Sequence, residues 1–477
     1  MAKKKLFICF ICFIAAFGGL LFGIDQGFMN GSLELIEKDL HLTVNQSANF
    51  AGILLWGSVI GAVFSGYVAR AIGRKNTLLV TAVVFTVFSF ISMLTDSYGL
   101  LITYRFILGL SVGLASFSVP LYLSEIAPTS LRGGFISMYQ MMITVGIFAV
   151  FVTNYFIGQA TNDWRPMFLA ITVPAFVMFV GILFIPKSPR WLFLKNKKED
   201  AKKVLHKTRF TQDEVNFEFA EMEEAVSMND TKGGFFAMLK ESFFIRVLIL
   251  GMVIQMFQQL TGINSVIYYS TSIFIGAGIS SPVVATIIVG LVNMLTTILA
   301  VLFVDKLGRK PILYFGYSVM ALSLFVCAWI FHIEGLGVDL TGTQKMTIVI
   351  STLVFIFAFA VSAGPIAWVL CAELFPLKGR DLGMTITTAT NWIFAALVVT
   401  FSLPMMKFAD GSPNPVGGSH LFIFFGVCCI AFIFILKFFI PETKGVSLEE
   451  VEENLKSGKK LKDLGTVPEV SNIAHKR

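Results

Sequence analysis

Long apolar runs alternate with short polar breaks along almost the whole chain. A helix needs about 20 apolar residues to cross the hydrocarbon core. Runs of that size fall near residues 6–31, 48–70, 77–95, 98–124, 134–158, 166–185, 245–276, 281–304, 311–332, 346–373, 382–406 and 420–440. None shows the period-two alternation of a barrel strand, so helices are the spanning element. The pattern predicts an all-α membrane protein with twelve transmembrane helices. The first run follows Lys3–Lys5 and resembles a secretory signal, but it continues through Gly18–Gly31 with no convincing cleavage site. It reads as an uncleaved first helix. The one long polar stretch, 187–243, carries two short amphipathic segments, Glu199–Lys207 and Asp213–Val226. Near the end, Ser447 with Glu450 forms a capping box that opens a helix over Leu448–Leu455.

Composition agrees with the pattern. Hydrophobic residues make up 56% and charged residues 14% of the 477, where soluble domains carry about a quarter charged. A water-soluble fold this apolar could not cover its own surface, whereas the 49 Phe suit lipid-facing helices. Cys9, Cys12, Cys327, Cys371, Cys428 and Cys429 lie in or beside apolar runs with no metal-type spacing, and read as small apolar fillers. No nucleophile elbow or phosphate-cradling loop is present, which argues against an enzyme. No cofactor is called for.

The net charge of +7 matters less than its placement. Lys3–Lys5, Arg70, Arg74, Lys75, Arg132, the stretch from Lys187 to Arg246, Lys306, Arg309, Lys310, Lys378, Arg380 and the tail lysines all fall on one side of the spans. The opposite loops hold few cations. The positive-inside rule then puts both termini in the cytoplasm, in a multi-pass protein of the inner (plasma) membrane.

The chain also repeats itself. Residues 66–75 match 301–310, each closing on Gly-Arg-Lys, with Arg74 and Arg309 offset by 235. Glu125 precedes Arg132 by seven residues, and Glu373 precedes Arg380 by seven. Pro-Lys-Ser-Pro-Arg at 186–190 follows the sixth span, as Pro-Glu-Thr-Lys-Gly at 441–445 follows the twelfth. Three pairs in register imply two pseudo-symmetric six-helix bundles. The expected organisation is an N-terminal bundle over 1–186, a cytoplasmic helical linker over 187–243, a C-terminal bundle over 244–440 and a cytoplasmic tail over 441–477. Parallel halves of this kind hold a solute site at their interface near mid-membrane. The loop charges can pair across helix ends and hold one side shut.

Two charges lie deep inside spans: Asp25 in the first and Arg105 in the fourth. A charge there costs about 2.5–3.5 kcal/mol on insertion scales. Counted from the span ends, both sit roughly 10 Å from the outer edge, a depth at which they can pair. Burial and a neighbouring guanidinium act in opposite senses on the proton affinity of a carboxylate. A conformational change can therefore switch it, as proton coupling requires. The alternative is a static ion pair holding two helices. Gly19, Gly23, Gly27 and Gly31 recur every fourth residue and invite close helix packing.

Amides recur inside otherwise apolar spans: Gln140, Gln255, Gln258, Gln259, Asn264, Asn293 and Asn391. An uncharged polyol needs such donors and acceptors, with an aromatic face from Trp368 or Trp392 and Tyr268 and Tyr269 close by. The alternative is that amides glue helices together. Gly262 and Pro365 each invite a helix break at these places, and broken helices mark transporter sites.

Several stretches carry a family likeness. They are Gly18–Asp25, Tyr104–Gly109, Pro120–Gly133, Pro186–Trp191, Gln258–Asn264, Val304–Lys310 and Pro441–Gly445. Over nearly its whole length the chain resembles the sugar porter family of the major facilitator superfamily. Stretches 137–144, 364–381, 388–392 and 454–461 look most like its bacterial galactose– and arabinose–proton symporters. The resemblance implies the major facilitator fold and proton-coupled import of a monosaccharide, a hexose or pentose, by alternating access. It implies proton coupling at Asp25 with Arg105. Sugar contacts would come from Gln140, Gln258, Gln259, Asn264, Asn293, Trp368 and Asn391. A cytoplasmic gate would be formed by Arg74, Glu125, Arg132, Arg309, Glu373 and Arg380. Its partners would be the sugar, a proton and the lipid bilayer, with no nucleic acid and no obligate protein partner. A passive facilitator and a non-transporting sugar sensor are the alternatives; the acid at Asp25 and the short tail favour symport. The sugar itself is left open. The chain departs from the family motifs at Arg70, which stands where an acid is usual, at Ala71, where a base is usual, and at Lys187, where Glu is usual.

Overall fold

The computed structural model describes residues 2–128, 131–228, 237–376, 379–444, 446 and 448–466. Gly445, Ser447, and therefore the capping box, lie outside the described residues. Among those described, twelve spans are long and apolar enough to cross a bilayer. The first six are α1 (Ala2–Asp39), α2 (Val44–Ala71), α3 (Arg74–Ser92), α4 (Tyr98–Ile126), α5 (Arg132–Thr161) and α6 (Leu169–Phe184). Three shorter helices follow: α7 (Pro189–Leu194), α8 (Lys198–Thr208) and α9 (Gln212–Met228). The last two of these cover the amphipathic segments of the linker.

In the second half, α10 (Ser242–Gln259) and α11 (Ile263–Gly276) share one span, as do α14 (Gly342–Val361) and α15 (Ala363–Leu374). The remaining spans are α12 (Pro282–Leu307), α13 (Arg309–Gly335), α16 (Arg380–Met406) and α17 (Pro415–Phe438), and α18 (Leu448–Lys456) follows. Two compact units result: Met1–Leu42 with Asn49–Gly233, and Thr43–Ala48 with Gly234–Arg477. The linker helices α7, α8 and α9 belong to the first.

Pairings repeat between the units: α1 packs on α5 as α10 packs on α16, and α3 on α6 as α13 on α17. Large apolar side chains on the outer faces, such as Phe64, Phe184, Leu322 and Phe434, are more than half exposed. Water would penalise that surface at about 25 cal/mol per Å², whereas lipid tails would not.

Glycines set the closest contacts. A Cβ on Gly19, Gly23 or Gly27 would lie 2.6, 1.9 and 2.6 Å from Tyr139 O, Ile143 O and Val150 Cγ1 of α5. Only hydrogen fits there, as the four-residue spacing implied. Gly31 differs from the rest of that stripe. It adopts φ +86° beside Asn30, and the pair kinks α1. A second zipper joins α2 to α4 through Gly57, Gly61, Gly109 and Gly113, whose Cβ positions would lie 2.0–2.3 Å from facing carbonyl oxygens.

Candidate functional site

In the first unit α1 also packs on α4, and the two helices bring a carboxylate and a guanidinium together at mid-span. Asp25 and Arg105 are fully buried, with Arg105 Nη1 3.7 Å from Asp25 Oδ1. That distance leaves an ion pair without a hydrogen bond. Among the described residues, neither carboxylate oxygen of Asp25 has a hydrogen-bond partner. Arg105 is held from its other side, where Nε donates to Phe50 O at 3.1 Å. Its guanidinium lies 4.9 Å from the Phe50 ring centroid and 5.9 Å from that of Phe28. The cation thus has one carbonyl and aromatic support of its own, its Nη1 and Nη2 having no hydrogen-bond partner among the described residues, while the carboxylate depends on the cation.

The kink in α1 follows shortly after Asp25. Asn30 and Gly31 leave helical geometry there. Asn154 Nδ2 on α5 donates to Phe28 O at 3.0 Å and Asn30 O at 3.1 Å, so the interrupted backbone stays satisfied. Gln140 lies half-buried on α5, next to Tyr139, whose carbonyl faces Gly19.

In the second unit five amides meet. Asn391 on α16 is the hub: its Nδ2 donates to Gln255 Oε1 at 2.7 Å and to Gln258 Oε1. Its Oδ1 accepts from Gln259 Nε2 at 3.0 Å. Asn264 Nδ2 donates to Gln259 Oε1 at 2.6 Å. Gln258 Nε2 then reaches Ala363 O at 3.0 Å and Gly364 O at 3.2 Å, in the first turn of α15. Both helix breaks border this network. Gly262, at φ +86°, separates α10 from α11, and a Cβ there would lie 2.3 Å from the Phe425 ring. The second break falls at Ser362, three residues before Pro365. Proline has no N–H for the Val361 carbonyl, so the helix parts one turn upstream.

Asn293 is buried on α12, and Trp368 is half-buried on α15. Among the described residues their side chains are outside the amide network. Tyr269 OH donates to Val399 O at 2.9 Å, and Tyr268 packs edge-on against Tyr269.

The loop motifs form matching triads, one in each unit. Arg74 Nε and Nη2 donate to Glu125 Oε1 at 3.1 and 2.8 Å, and Ser188 Oγ donates to Glu125 Oε2. In the second unit Arg309 Nη2 donates to Glu373 Oε1 at 2.9 Å, and Thr443 Oγ1 donates to Glu373 Oε2. Gly73 and Gly308 both sit at φ 90° directly before these arginines. That backbone geometry suits glycine and turns each arginine toward its carboxylate. Arg380 Nη2 donates to Phe375 O at 3.4 Å. The side chain of Arg132 lies outside the described residues. Arg70 is exposed, and its carbonyl accepts from Trp191 Nε1 at 3.0 Å.

Sequence reasoning passed over Ser188 and Thr443 as site residues, although the 186–190 and 441–445 repeat places them at one position. It also passed over Glu442, whose Oε1 accepts from Arg309 N at 3.0 Å and whose Oε2 accepts from Lys310 N at 2.9 Å. Lys187 occupies the corresponding place in the first unit. It lies beside Gly73, Arg74 and Lys75.

Known proteins share this fold. A family model described as Sugar (and other) transporter matches residues 11–455. The galactose-proton symporter of Escherichia coli strain K12 is 40% identical over 467 residues, 97% of each chain. The arabinose-proton symporter of the same strain is 36% identical over 460 residues, 96% of this chain and 95% of that one. Among solved structures, the proton:xylose symporter XylE bound to 6-bromo-6-deoxy-D-glucose matches with TM-score 0.76 and 30% identity, over 94% of this chain and 99% of that chain. With its twelve spans, repeated loop triads and whole-length match, this chain belongs to the sugar transporter family, the sugar porters of the major facilitator superfamily.

Proposed function

We propose that the chain imports a monosaccharide together with a proton by alternating access, Asp25 taking the proton and the second-half amides taking the sugar. The observation that carries this reading is the buried Asp25–Arg105 pair, whose carboxylate has no hydrogen bond among the described residues. A carboxylate placed this way is tied to α4 by one Coulomb contact. Protonation removes that contact and loosens the hold of α4 on α1. Arg105 keeps its Phe50 carbonyl and its aromatic neighbours meanwhile. The kink at Asn30 and Gly31 gives the outer part of α1 a place to bend.

Sugar hydroxyls both donate and accept, so they can replace amide–amide hydrogen bonds around Asn391 one for one. Gln258, Gln259 and Asn264 are the other contacts of that network. Asn293 and Trp368 complete the sugar's surroundings in the second half, and the family resemblance adds Gln140 of the first half as a sugar contact. Arg74, Glu125 and Arg132, with Arg309, Glu373 and Arg380, form the gate. Gate and termini face the cytoplasm, because Lys and Arg crowd the loops at that end. The protein lies in the inner membrane and works as a carrier without cofactor or obligate protein partner. Residues 1–186 and 244–440 are its two bundles, 187–243 the linker and 441–477 the tail.

Purified protein in vesicles tests the reading. Adding sugar outside should alkalinise the medium as sugar enters, and unlabelled galactose, arabinose, xylose and glucose competing against one labelled sugar should rank the substrates. Exchange without accumulation would make the chain a facilitator. Binding without uptake would make it a sensor.

A further inference from the structure

The linker contains a charge that its polar composition gave no reason to single out. Arg209 directly follows α8, yet its side chain is only 1% exposed. A guanidinium kept from water needs partners for all its N–H groups, and Arg209 has them. Glu218 of α9 takes Nε at 2.6 Å and Nη2 at 2.7 Å. Thr208 Oγ1 takes Nη1 at 3.2 Å. The remaining donors reach α4, with Nη1 at 2.8 Å from Ile126 O and Nη2 at 3.3 Å from Glu125 O.

Those two carbonyls end α4, where the backbone has no further turn to accept from. A cation also suits the negative end of the helix dipole. Lys4 Nζ of α1 donates to Arg209 O at 3.2 Å, so α1 joins α4, α8 and α9 at the same joint. Glu125 is therefore held twice. Arg74 and Ser188 fix its carboxylate, and Arg209 fixes its backbone. When α4 moves at this end, it must break the Arg209 contacts or carry α8 and α9 along.

We propose that Arg209, oriented by Glu218, is a positioning residue for the gate carboxylate Glu125, so that the linker sets how firmly the first-half gate holds. The proposal rests on the transport reading above, and wild-type uptake checks that reading separately. Arg209→Lys keeps the charge but cannot serve Glu218 and both carbonyls at once. In vesicles, with uptake normalised to inserted protein, it should lower turnover about fivefold with sugar KM within about twofold. Combined with Glu125→Gln it should be no slower than Glu125→Gln alone, because both act on one contact set. Glu218→Gln should lower turnover about threefold by loosening Arg209, and it decides the question if Arg209→Lys fails to insert. Wild-type turnover in the inserted variants would overturn the proposal. So would a loss that multiplies with that of Glu125→Gln, since a merely structural role predicts independent effects.

Discussion

The first and second halves share one helix plan, yet their middles hold different chemistry. Mid-span in the first, a carboxylate faces a guanidinium among phenylalanines. In the second, five uncharged amides share hydrogen bonds around Asn391. At the loop ends the likeness returns, with Arg74, Glu125 and Ser188 repeated as Arg309, Glu373 and Thr443. The repeat has kept what fastens helix ends and changed what fills the membrane interior. A charge pair can respond to a proton and a set of neutral amides can exchange partners with a hydroxyl. The two halves are thus suited to different cargoes.

The largest effect should come from breaking the first half's chemistry alone. Asp25→Asn removes the titratable group but keeps its size. Accumulation of sugar against a gradient should fall to equilibration, and sugar-induced alkalinisation should vanish, while exchange of labelled for unlabelled sugar continues. Accumulation that survives would end the assignment of Asp25 as the proton site. Arg105→Leu should be harsher on the fold, because it strands a buried carboxylate, at a cost of about 3–5 kcal/mol. A lower melting temperature in detergent, partly restored by adding Asp25→Asn, would show it.

The mirror experiment attacks the second half. Asn391→Ala deletes three amide hydrogen bonds, each worth about 0.5–1.5 kcal/mol net. Sugar affinity should weaken about 10- to 100-fold, as an increase in KM or a fall in calorimetric affinity. The proton taken up per sugar should not change. A lost stoichiometry with unaltered affinity would invert the division of labour between the halves.

Much of this contrast was legible in the sequence because lipid makes the signals loud. A charge or amide inside an apolar run stands out, which is how Asp25, Arg105, Gln258 and Asn391 could be picked out by position alone. The repeat likewise exposed Arg74 and Arg309 without any structure. Other features were silent for physical reasons. Arg209 sits in a polar stretch where charge is ordinary, so its burial depends on how α8, α9 and the end of α4 fold together. The α2–α4 zipper is spread over Gly57, Gly61, Gly109 and Gly113, and its pairing is tertiary. Gly31 fits the four-residue spacing of its stripe, yet only the backbone reveals it as a kink. Which amides would cluster was also hidden, since Asn293 has the same composition signal as Asn391 but lies outside the hydrogen-bonded group.

The smallest expected effect concerns a place where the two sets of loop ends differ. Glu442 accepts from the backbone N–H groups of Arg309 and Lys310, at the start of α13. Lys187 holds the matching position near the start of α3, with its Nζ 5.5 Å from the Trp191 ring centroid. Lys187→Glu would offer Arg74 and Lys75 the carboxylate that the second half already has. An anion at a helix N-terminus is worth about 0.3–1 kcal/mol, and a cation–π interaction of the kind Lys187 makes near the surface is worth about 0.5–1 kcal/mol. These nearly cancel in stability, so the melting temperature should barely move. They do not cancel in geometry, because the new carboxylate ties the Gly73 turn to the Pro186–Trp191 segment, which also supplies Ser188 to Glu125. Net uptake should slow about twofold at unchanged KM, and Glu442→Lys, which frees the same turn in the second half, should change turnover by a similar factor in the opposite sense. Equal turnover in both variants would show that the carboxylate beside the gate is not what limits its opening.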